Sequence, residues 1–212
     1  MRTKYFDLID QTFDFPQNEF NLHDDRLFFH GIDLKRLIDE YGTPLKFNYL
    51  PQISNNIQRA KGWFREAMNN LGYAGNYYYS YCTKSNHFSF VLDEVMKNDV
   101  HIETSSAFDI DIVRNLYNSG KLVDGRYVIC NGYKTEKYID NMCGLINDKK
   151  LKVIPIVDNT QELQEILAKT EESIKIGIRI ASEEEPKFEF YTSRLGIRYR
   201  EIVPFYKAIV KD

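Results

Sequence analysis

Chemically useful side chains follow a series of apolar runs in the second half of the chain. Lys84 ends the first run, in the segment NYYYSYCTKSN, and Glu103 ends the second. Asn131, Asp158 and Arg179 stand at the ends of the next three runs. In parallel α/β folds the ligand lies beyond the carboxyl ends of the strands. The sequence therefore predicts one rim that carries acidic and basic groups, with a lysine on its first strand.

Three interpretations of Lys84 are compatible with this position. Its stem could lie along apolar surface while its amine stays in water. It could bind a phosphate as a point charge, although no Walker-type glycine loop precedes it. It could instead be a nucleophile that forms a Schiff base with an aldehyde. No GxGxxG segment follows any of the runs, so dinucleotide binding is not predicted.

The apolar runs alternate with amphipathic stretches from residue 77 onwards. The predicted strands are Tyr77–Thr83, Val100–Thr104, Tyr127–Asn131, Val153–Val157 and Ile174–Ile180. The predicted helices between them are Phe88–Lys97, Ala107–Asn118, Glu136–Ile146 and Gln161–Thr170. Such alternation indicates βα units around a parallel sheet, whose strands are apolar because both faces are covered.

The number of repeats does not decide whether this sheet closes into a barrel. Each predicted βα unit takes about 24 residues, so the chain has room for about five units and the start of a sixth. A closed barrel needs eight. From the residues themselves, the fold class is α/β, either an open doubly wound sheet or a parallel (β/α) barrel of the TIM type that is incomplete.

The part of the chain before this repeat is less regular. Residues 1–25 are predicted to form an N-terminal arm, and residues 26–50 a strand–helix–strand segment. Its strands are expected at residues 26–30 and 45–49, with Asp33 as the N-cap of the helix between them. A longer helix is predicted from Ile53 to Asn70 because its apolar residues recur at helical spacing. Residues 51–212 form the partial barrel.

Composition excludes several classes of partner. The 212 residues carry a formal net charge of −3, so no basic face for nucleic acid is expected. No apolar run is long enough to span a membrane. Cys82, Cys130 and Cys143 have neither zinc-site nor disulfide-framework spacing. We therefore predict no metal site, buried and reduced thiols at Cys82 and Cys130, and a cytoplasmic location.

Six short segments, in order along the chain, resemble one family. YSYCTKSN resembles the Tyr-Ala-x-Lys-Ala-Asn segment of the fold-type III (alanine racemase-like) decarboxylases, which depend on pyridoxal 5′-phosphate and act on ornithine, arginine or diaminopimelate. The other resembling segments are YGTPLKFNYL, VHIETSSAFDI, CNGYKTEKYI, IGIRI and SRLGI. The resemblance spans about residues 26–200. It implies a parallel barrel and pyridoxal phosphate as the cofactor.

The resemblance also implies roles for individual residues. Lys84 would be the catalytic lysine that holds the cofactor aldehyde as a Schiff base, and Arg179 would reach the ring hydroxyl. Glu103 would hold Lys84 or the ring in register, and Asn131 would also contribute to cofactor binding. Simpler interpretations remain for some of these residues. Glu103 and Asp109 could be helix N-terminal acids, and Asn131 could end its strand in a turn.

Parts of the family pattern are missing after Arg179. The histidine that stacks on the ring, the glycine-rich phosphate turn, the acidic partner of the pyridinium nitrogen and the C-terminal β domain are not seen. We therefore expect the N-terminal part of a longer, homodimeric enzyme, inactive by itself. The predicted reaction is decarboxylation of a basic amino acid, with arginine favoured and diaminopimelate or ornithine as alternatives. A non-catalytic relative that carries the cofactor or binds a protein partner, and an unrelated open α/β domain, are the other hypotheses.

Overall fold

Eight strands and seven α-helices make up the described part of the chain, residues 19–181 and 195–210 of a computed structural model. The strands are β1 Phe20–His23, β2 Arg26–Phe29, β3 Ile32–Asp33, β4 Ser80–Cys82, β5 His101–Thr104, β6 Tyr127–Cys130, β7 Lys152–Val157 and β8 Gly177–Ile178. The helices are α1 Leu34–Tyr41, α2 Pro51–Asn70, α3 Ser89–Met96, α4 Ala107–Asn118, α5 Glu136–Asn147, α6 Thr160–Lys169 and α7 Tyr199–Val210. The chain divides into two compact units between Asn48 and Tyr49.

The first unit contains a small antiparallel sheet in the order β1-β2-β3. Two-residue turns connect its strands, and both residues of each turn have positive φ: 48° and 58° at Asp24 and Asp25, and 49° and 80° at His30 and Gly31. Such turns match the twist of paired strands. The prediction of an irregular arm is therefore wrong for residues 20–23, which form β1. Residues 1–18 lie outside the described residues.

Helix α1 follows this sheet as predicted. The Asp33 carboxylate accepts hydrogen bonds from the backbone N–H groups of Lys35 and Arg36, at 3.0 and 3.2 Å. These bonds satisfy two of the amides that a helix start leaves unpaired. The strand predicted at residues 45–49 is wrong. The segment is apolar in part, but no neighbouring strand among the described residues pairs with it.

The second unit is built on a parallel sheet in the order β4-β5-β6-β7-β8. Helices α3, α4, α5 and α6 connect the successive strands, which confirms the predicted α/β class and the βα repeat. Three of these helices begin at a side chain that accepts a hydrogen bond from their first turn. These N-caps are Ser106, Thr135 and Asn159.

The two faces of the sheet have different surroundings. Ile102, Val128 and Val157 lie on the helix face, in a core shared with α4, α5 and α6. Residues that alternate with them point to the opposite face, which would be the interior of a closed barrel. Ile129 and Ile156 on that face are only half-buried, because five strands do not close around it.

The cysteines follow the composition-based prediction in part. Cys130 and Cys143 are buried, Cys82 is half-buried, and all three are free. Burial raises the pKa of the Cys130 and Cys143 thiols to about 11. No helix within residues 19–181 and 195–210 is long and apolar enough to cross a membrane. The same residues contain no group of three or more His, Cys, Asp or Glu that could hold a metal ion.

We expect the protein to lose stability as the pH falls from about 7.5 to 5.5. Burial and the nearby Arg126 guanidinium lower the pKa of His101, whose neutral Nδ1 accepts a hydrogen bond from the Tyr127 N–H at 3.1 Å. The unfolded state therefore binds a proton more readily, and the bond, worth about 1 kcal/mol, is lost on acidification. Urea unfolding at several pH values would measure this.

A comparison of two histidine variants tests the source of this pH dependence. His101→Asn should flatten the curve between about pH 7.5 and 5.5, whereas His87→Asn should leave it unchanged, since the His87 side chain is exposed. A His101→Asn protein with the wild-type pH dependence would show that another group is responsible.

Candidate functional site

The predicted site residues all lie at the carboxyl edge of the parallel sheet. We call the set Lys84, Glu103, Asn131, Asp158 and Arg179 the strand-end rim. Lys84 stands two residues beyond β4, Glu103 lies near the end of β5, and the other three directly follow β6, β7 and β8. In barrels of this type the carboxyl edge is where substrates bind.

Lys84 occupies a turn at the exit of β4. The turn is closed by the Ser85 hydroxyl, which donates a hydrogen bond to the Cys82 carbonyl at 2.7 Å. The Lys84 side chain is exposed rather than buried. Its Nζ makes no hydrogen bond or ion pair with any described residue. The amine is therefore open to a small molecule that approaches the rim.

Glu103 and Asn131 contact each other across neighbouring strands. The Asn131 side-chain amide donates a hydrogen bond to Glu103 Oε1 at 3.1 Å, and both side chains are half-buried. The Asn131 amide oxygen also accepts from the Gly132 N–H at 2.8 Å. Glu103 is thus a rim residue on a strand, and the interpretation as a helix N-terminal acid does not apply to it.

Asp109 is the residue that fits this simpler interpretation. It lies in the first turn of α4, where a negative charge is favoured by the helix dipole. Its carboxylate accepts hydrogen bonds from the Ser105 N–H at 2.8 Å and from the Ser105 hydroxyl at 3.2 Å. Asp109 therefore shapes the turn after β5.

A buried tyrosine supports Asn131 from the helix side. The Tyr138 hydroxyl donates a hydrogen bond to the Asn131 carbonyl at 3.2 Å and lies 2.8 Å from the Thr104 hydroxyl. Burial raises the pKa of Tyr138, so its phenol stays protonated at neutral pH. This network fixes the backbone at the end of β6, and motif comparison by sequence did not reveal it.

Gly132→Ala should destabilise the protein by about 2–3 kcal/mol. Gly132 has a φ of +82°, which costs an L-residue roughly 1–2 kcal/mol. A Cβ atom there would also lie 3.1 Å from the Ser105 carbonyl oxygen, which belongs to the backbone and cannot easily move. Urea unfolding of both proteins would measure the loss.

Gly120→Ala is the matched control for this substitution. Gly120 has a similar φ of +73°, but an added Cβ atom would meet nothing within 4 Å. It should therefore carry the backbone cost without the steric one, and lose about 1 kcal/mol. Equal losses for the two variants would show that the close approach to Ser105 is not tight.

A buried charged cluster adjoins the rim. Lys134 Nζ lies 2.7 Å from the Glu162 carboxylate, and the Lys134 side chain is fully buried. Asp158 is also buried, at 7% exposure, and neither of its carboxylate oxygens has a hydrogen-bond partner among the described residues. Motif comparison did not identify this ion pair. The Asn-x-x-Glu spacing of Asn159 and Glu162 indicates a helix start but not a partner.

Arg179 lies at the other side of the rim from Lys84. Its side chain is half-buried, and its N–H donates to the Val157 carbonyl at 3.1 Å. Lys84 and Arg179 follow the two edge strands of the sheet, four strand spacings or about 19 Å apart along it. They share a rim, but they are not adjacent along the sheet, because β4 and β8 are its two edge strands. The SRLGI residues Ser193 and Arg194 lie outside the described residues.

No family model matches the sequence. Curated relatives include the biosynthetic arginine decarboxylase of Bacteroides thetaiotaomicron, 26% identical over an alignment of 172 residues that covers 74% of this chain and 26% of that protein. The enzyme of the same name from Prochlorococcus marinus strain MIT 9303 is 23% identical over an alignment of 150 residues that covers 66% of this chain and 22% of that protein. The chain thus spans about a quarter of the length of the curated relatives it matches.

Solved structures share the fold. Diaminopimelate decarboxylase from M. jannaschii in complex with L-lysine superposes with a TM-score of 0.71 at 20% identity, over 91% of this chain and 44% of that one. The biosynthetic arginine decarboxylase of Campylobacter jejuni gives a TM-score of 0.65 at 16% identity, over 91% of this chain and 33% of that one. The parallel sheet is therefore an incomplete (β/α) barrel, and the sequence is similar to biosynthetic arginine decarboxylases over part of their length.

Proposed function

We propose that this chain is part of a pyridoxal phosphate-dependent decarboxylase, a carboxy-lyase that acts on a basic amino acid. The observation that carries the proposal is the position of Lys84. Its exposed amine stands at the carboxyl end of the first strand of an incomplete barrel, without a partner among the described residues. The similarity to biosynthetic arginine decarboxylases supports this choice over a snorkelling lysine.

The rim offers groups that fit this cofactor. Lys84 supplies a primary amine for its aldehyde, and Arg179 supplies a cation for its ring hydroxyl. Glu103 holds the Asn131 amide at 3.1 Å, so these two side chains are oriented together toward the same edge. When bound, the cofactor withdraws electrons from the substrate carbon that loses CO2. The protein residues would hold and orient it.

The substrate is proposed to be arginine, with diaminopimelate or ornithine as alternatives. The curated relatives named above are biosynthetic arginine decarboxylases, and a solved structure with the same fold is a diaminopimelate decarboxylase. The strand-end rim contains carboxylates and a guanidinium. Such groups can bind an amino acid, but they do not discriminate between arginine, diaminopimelate and ornithine.

Spectroscopic titration with pyridoxal phosphate tests the proposal. A saturable absorption at the edge of the visible, reversed by a competing primary amine, is expected. Because this chain is expected to be inactive by itself, release of CO2 from labelled arginine, diaminopimelate, ornithine or lysine by a longer chain that completes the barrel would then identify the substrate. Absence of saturable cofactor binding would contradict the proposal. Cofactor binding by that longer chain without CO2 release from any of the four would favour the non-catalytic, cofactor-carrying alternative.

A further inference from the structure

A small cleft lies between the end of α2 and the segment that leads into β4. Its volume is about 330 Å³, which is in the range of small-molecule sites. Lys61 and Arg65 line it from α2, and Tyr73 and Tyr77 line it from the segment. We call it the α2 cleft. Because its residues precede β4, it lies at the amino-terminal edge of the parallel sheet, away from the strand-end rim.

The aromatic wall of the α2 cleft is held in place by packing. The Tyr77 ring stacks on the Phe64 ring, with their centroids 4.0 Å apart and their planes 8° from parallel. The Tyr73 ring lies against the backbone of Gly75, so closely that a Cβ atom there would come within 2.4 Å of it. The cleft therefore offers ring surface that a flat or apolar group can pack against.

Lys61 is fixed at the cleft by backbone carbonyls. Its Nζ donates hydrogen bonds to the Asn98 carbonyl at 2.6 Å and to the Asp99 carbonyl at 2.7 Å. A lysine ammonium has three donors, and the third has no acceptor among the described residues. The half-buried ammonium is thus positioned without being neutralised by a carboxylate.

Positive charge is in excess around this ammonium. Burial lowers the pKa of Lys61, Asp99 raises it, and the cations Arg126 and Arg65 lower it. The Asp99 carboxylate is already in an ion pair with Arg126. The Arg65 guanidinium has neither a hydrogen bond nor an ion pair with any described residue. Two cations therefore line one cleft, and neither is paired with an acid.

We propose that the α2 cleft binds the phosphate group of a small organic phosphate. A phosphate monoester carries a charge of about −1.5 to −2 at pH 7, which balances both cations, whereas a single carboxylate balances one. The planar Arg65 guanidinium can donate two parallel hydrogen bonds to it, and Lys61 can donate its remaining one. The organic part would pack against Tyr73 and Tyr77. This site does not depend on the function proposed for Lys84.

NMR titration of the chain with phenyl phosphate at low salt tests the proposal. Saturable shifts are expected for the backbone amides of Asn69, Asn76 and Tyr77, which line the cleft. Arg65→Gln should weaken binding by about tenfold or more, because it removes charge-assisted hydrogen bonds. Its fold should survive, since the Arg65 side chain is exposed and without partners among the described residues. Benzoate should bind about tenfold more weakly than phenyl phosphate.

Two control variants separate this site from other cations of the chain. Arg59→Gln removes an exposed arginine of the same helix that lies over the Trp63 ring, and it should change the affinity less than about twofold. Lys84→Ala should also leave it unchanged, because Lys84 lies at the opposite edge of the sheet. No saturable binding at millimolar phenyl phosphate, equal losses in Arg59→Gln and Arg65→Gln, or binding abolished in Lys84→Ala would each overturn the proposal.

Discussion

Lys84→Ala is expected to abolish the absorption at the edge of the visible that the protein acquires with pyridoxal phosphate. The imine needs a primary amine at the rim, and alanine offers none. Lys84 Nζ is exposed and free of partners among the described residues, so its reaction costs no broken ion pair or hydrogen bond. Because the side chain makes no such contact, the variant should unfold within about 0.5 kcal/mol of the wild type. Titration and urea unfolding would measure both quantities.

Two further variants test whether the absorption depends on Lys84 specifically or on any exposed lysine. Lys84→Arg keeps the positive charge but cannot form the imine, so it should also lose the absorption. Lys152→Ala removes an exposed lysine at the opposite, amino-terminal end of β7 and should keep it. Borohydride reduction followed by peptide mapping should label the peptide that contains Lys84. Labels spread evenly over many lysines would rule out a special role for this residue.

Helices were the most predictable part of this fold. The bounds of α4 agree with the prediction, and those of α5 and α6 differ from it by one residue. The reason is local. Each of these helices begins at a Ser, Thr or Asn whose side chain accepts a hydrogen bond from the third residue of the helix. Such a signal is contained in a few consecutive residues and needs no information about distant parts of the chain.

The strands of the parallel sheet were predictable in place but not in length. The runs predicted at residues 77–83 and 174–180 form only Ser80–Cys82 and Gly177–Ile178. These are the two edge strands of the five-stranded sheet. An apolar run predicts burial, but a strand also needs partners for its backbone groups, and an edge strand has a partner on one side only. The residues of the run do not contain that information.

The site shows the same division between local and distant information. Strand ends and family motifs pointed to Lys84, Glu103, Asn131 and Arg179, and the structure brings them to one edge. Their neighbours are set by packing. The contact between Glu103 and Asn131 joins residues 28 positions apart. The ion pair between Lys134 and Glu162 likewise joins two helical connections that follow different strands. Spacing along the chain cannot predict such pairs.

Lys134→Ala is expected to lower the free energy of unfolding by about 3–5 kcal/mol at pH 7. The Lys134 side chain is fully buried and Glu162 is 7% exposed, so the substitution leaves an uncompensated carboxylate in the interior. It also removes the donor to the Gly132 and Ile156 carbonyls. A loss of this size is a large part of the 5–15 kcal/mol typical of a domain. Urea unfolding would measure it.

The pH dependence of the stability loss in Lys134→Ala shows whether the unpaired Glu162 carboxylate causes it. Burial raises the pKa of Glu162, and Lys134 opposes that effect. Without Lys134 the folded-state pKa of Glu162 should rise further. Acidification then protonates the buried carboxyl and removes the cost of its charge, so the loss of stability should be smaller at pH 5 than at pH 7.

Lys121→Ala is the exposed control. It breaks an ion pair with Asp93 in which the two side chains are 43% and 46% exposed, and it should cost less than about 1 kcal/mol. Similar losses in the two variants, or a Lys134→Ala loss independent of pH, would show that the buried pair contributes little to the stability of the barrel.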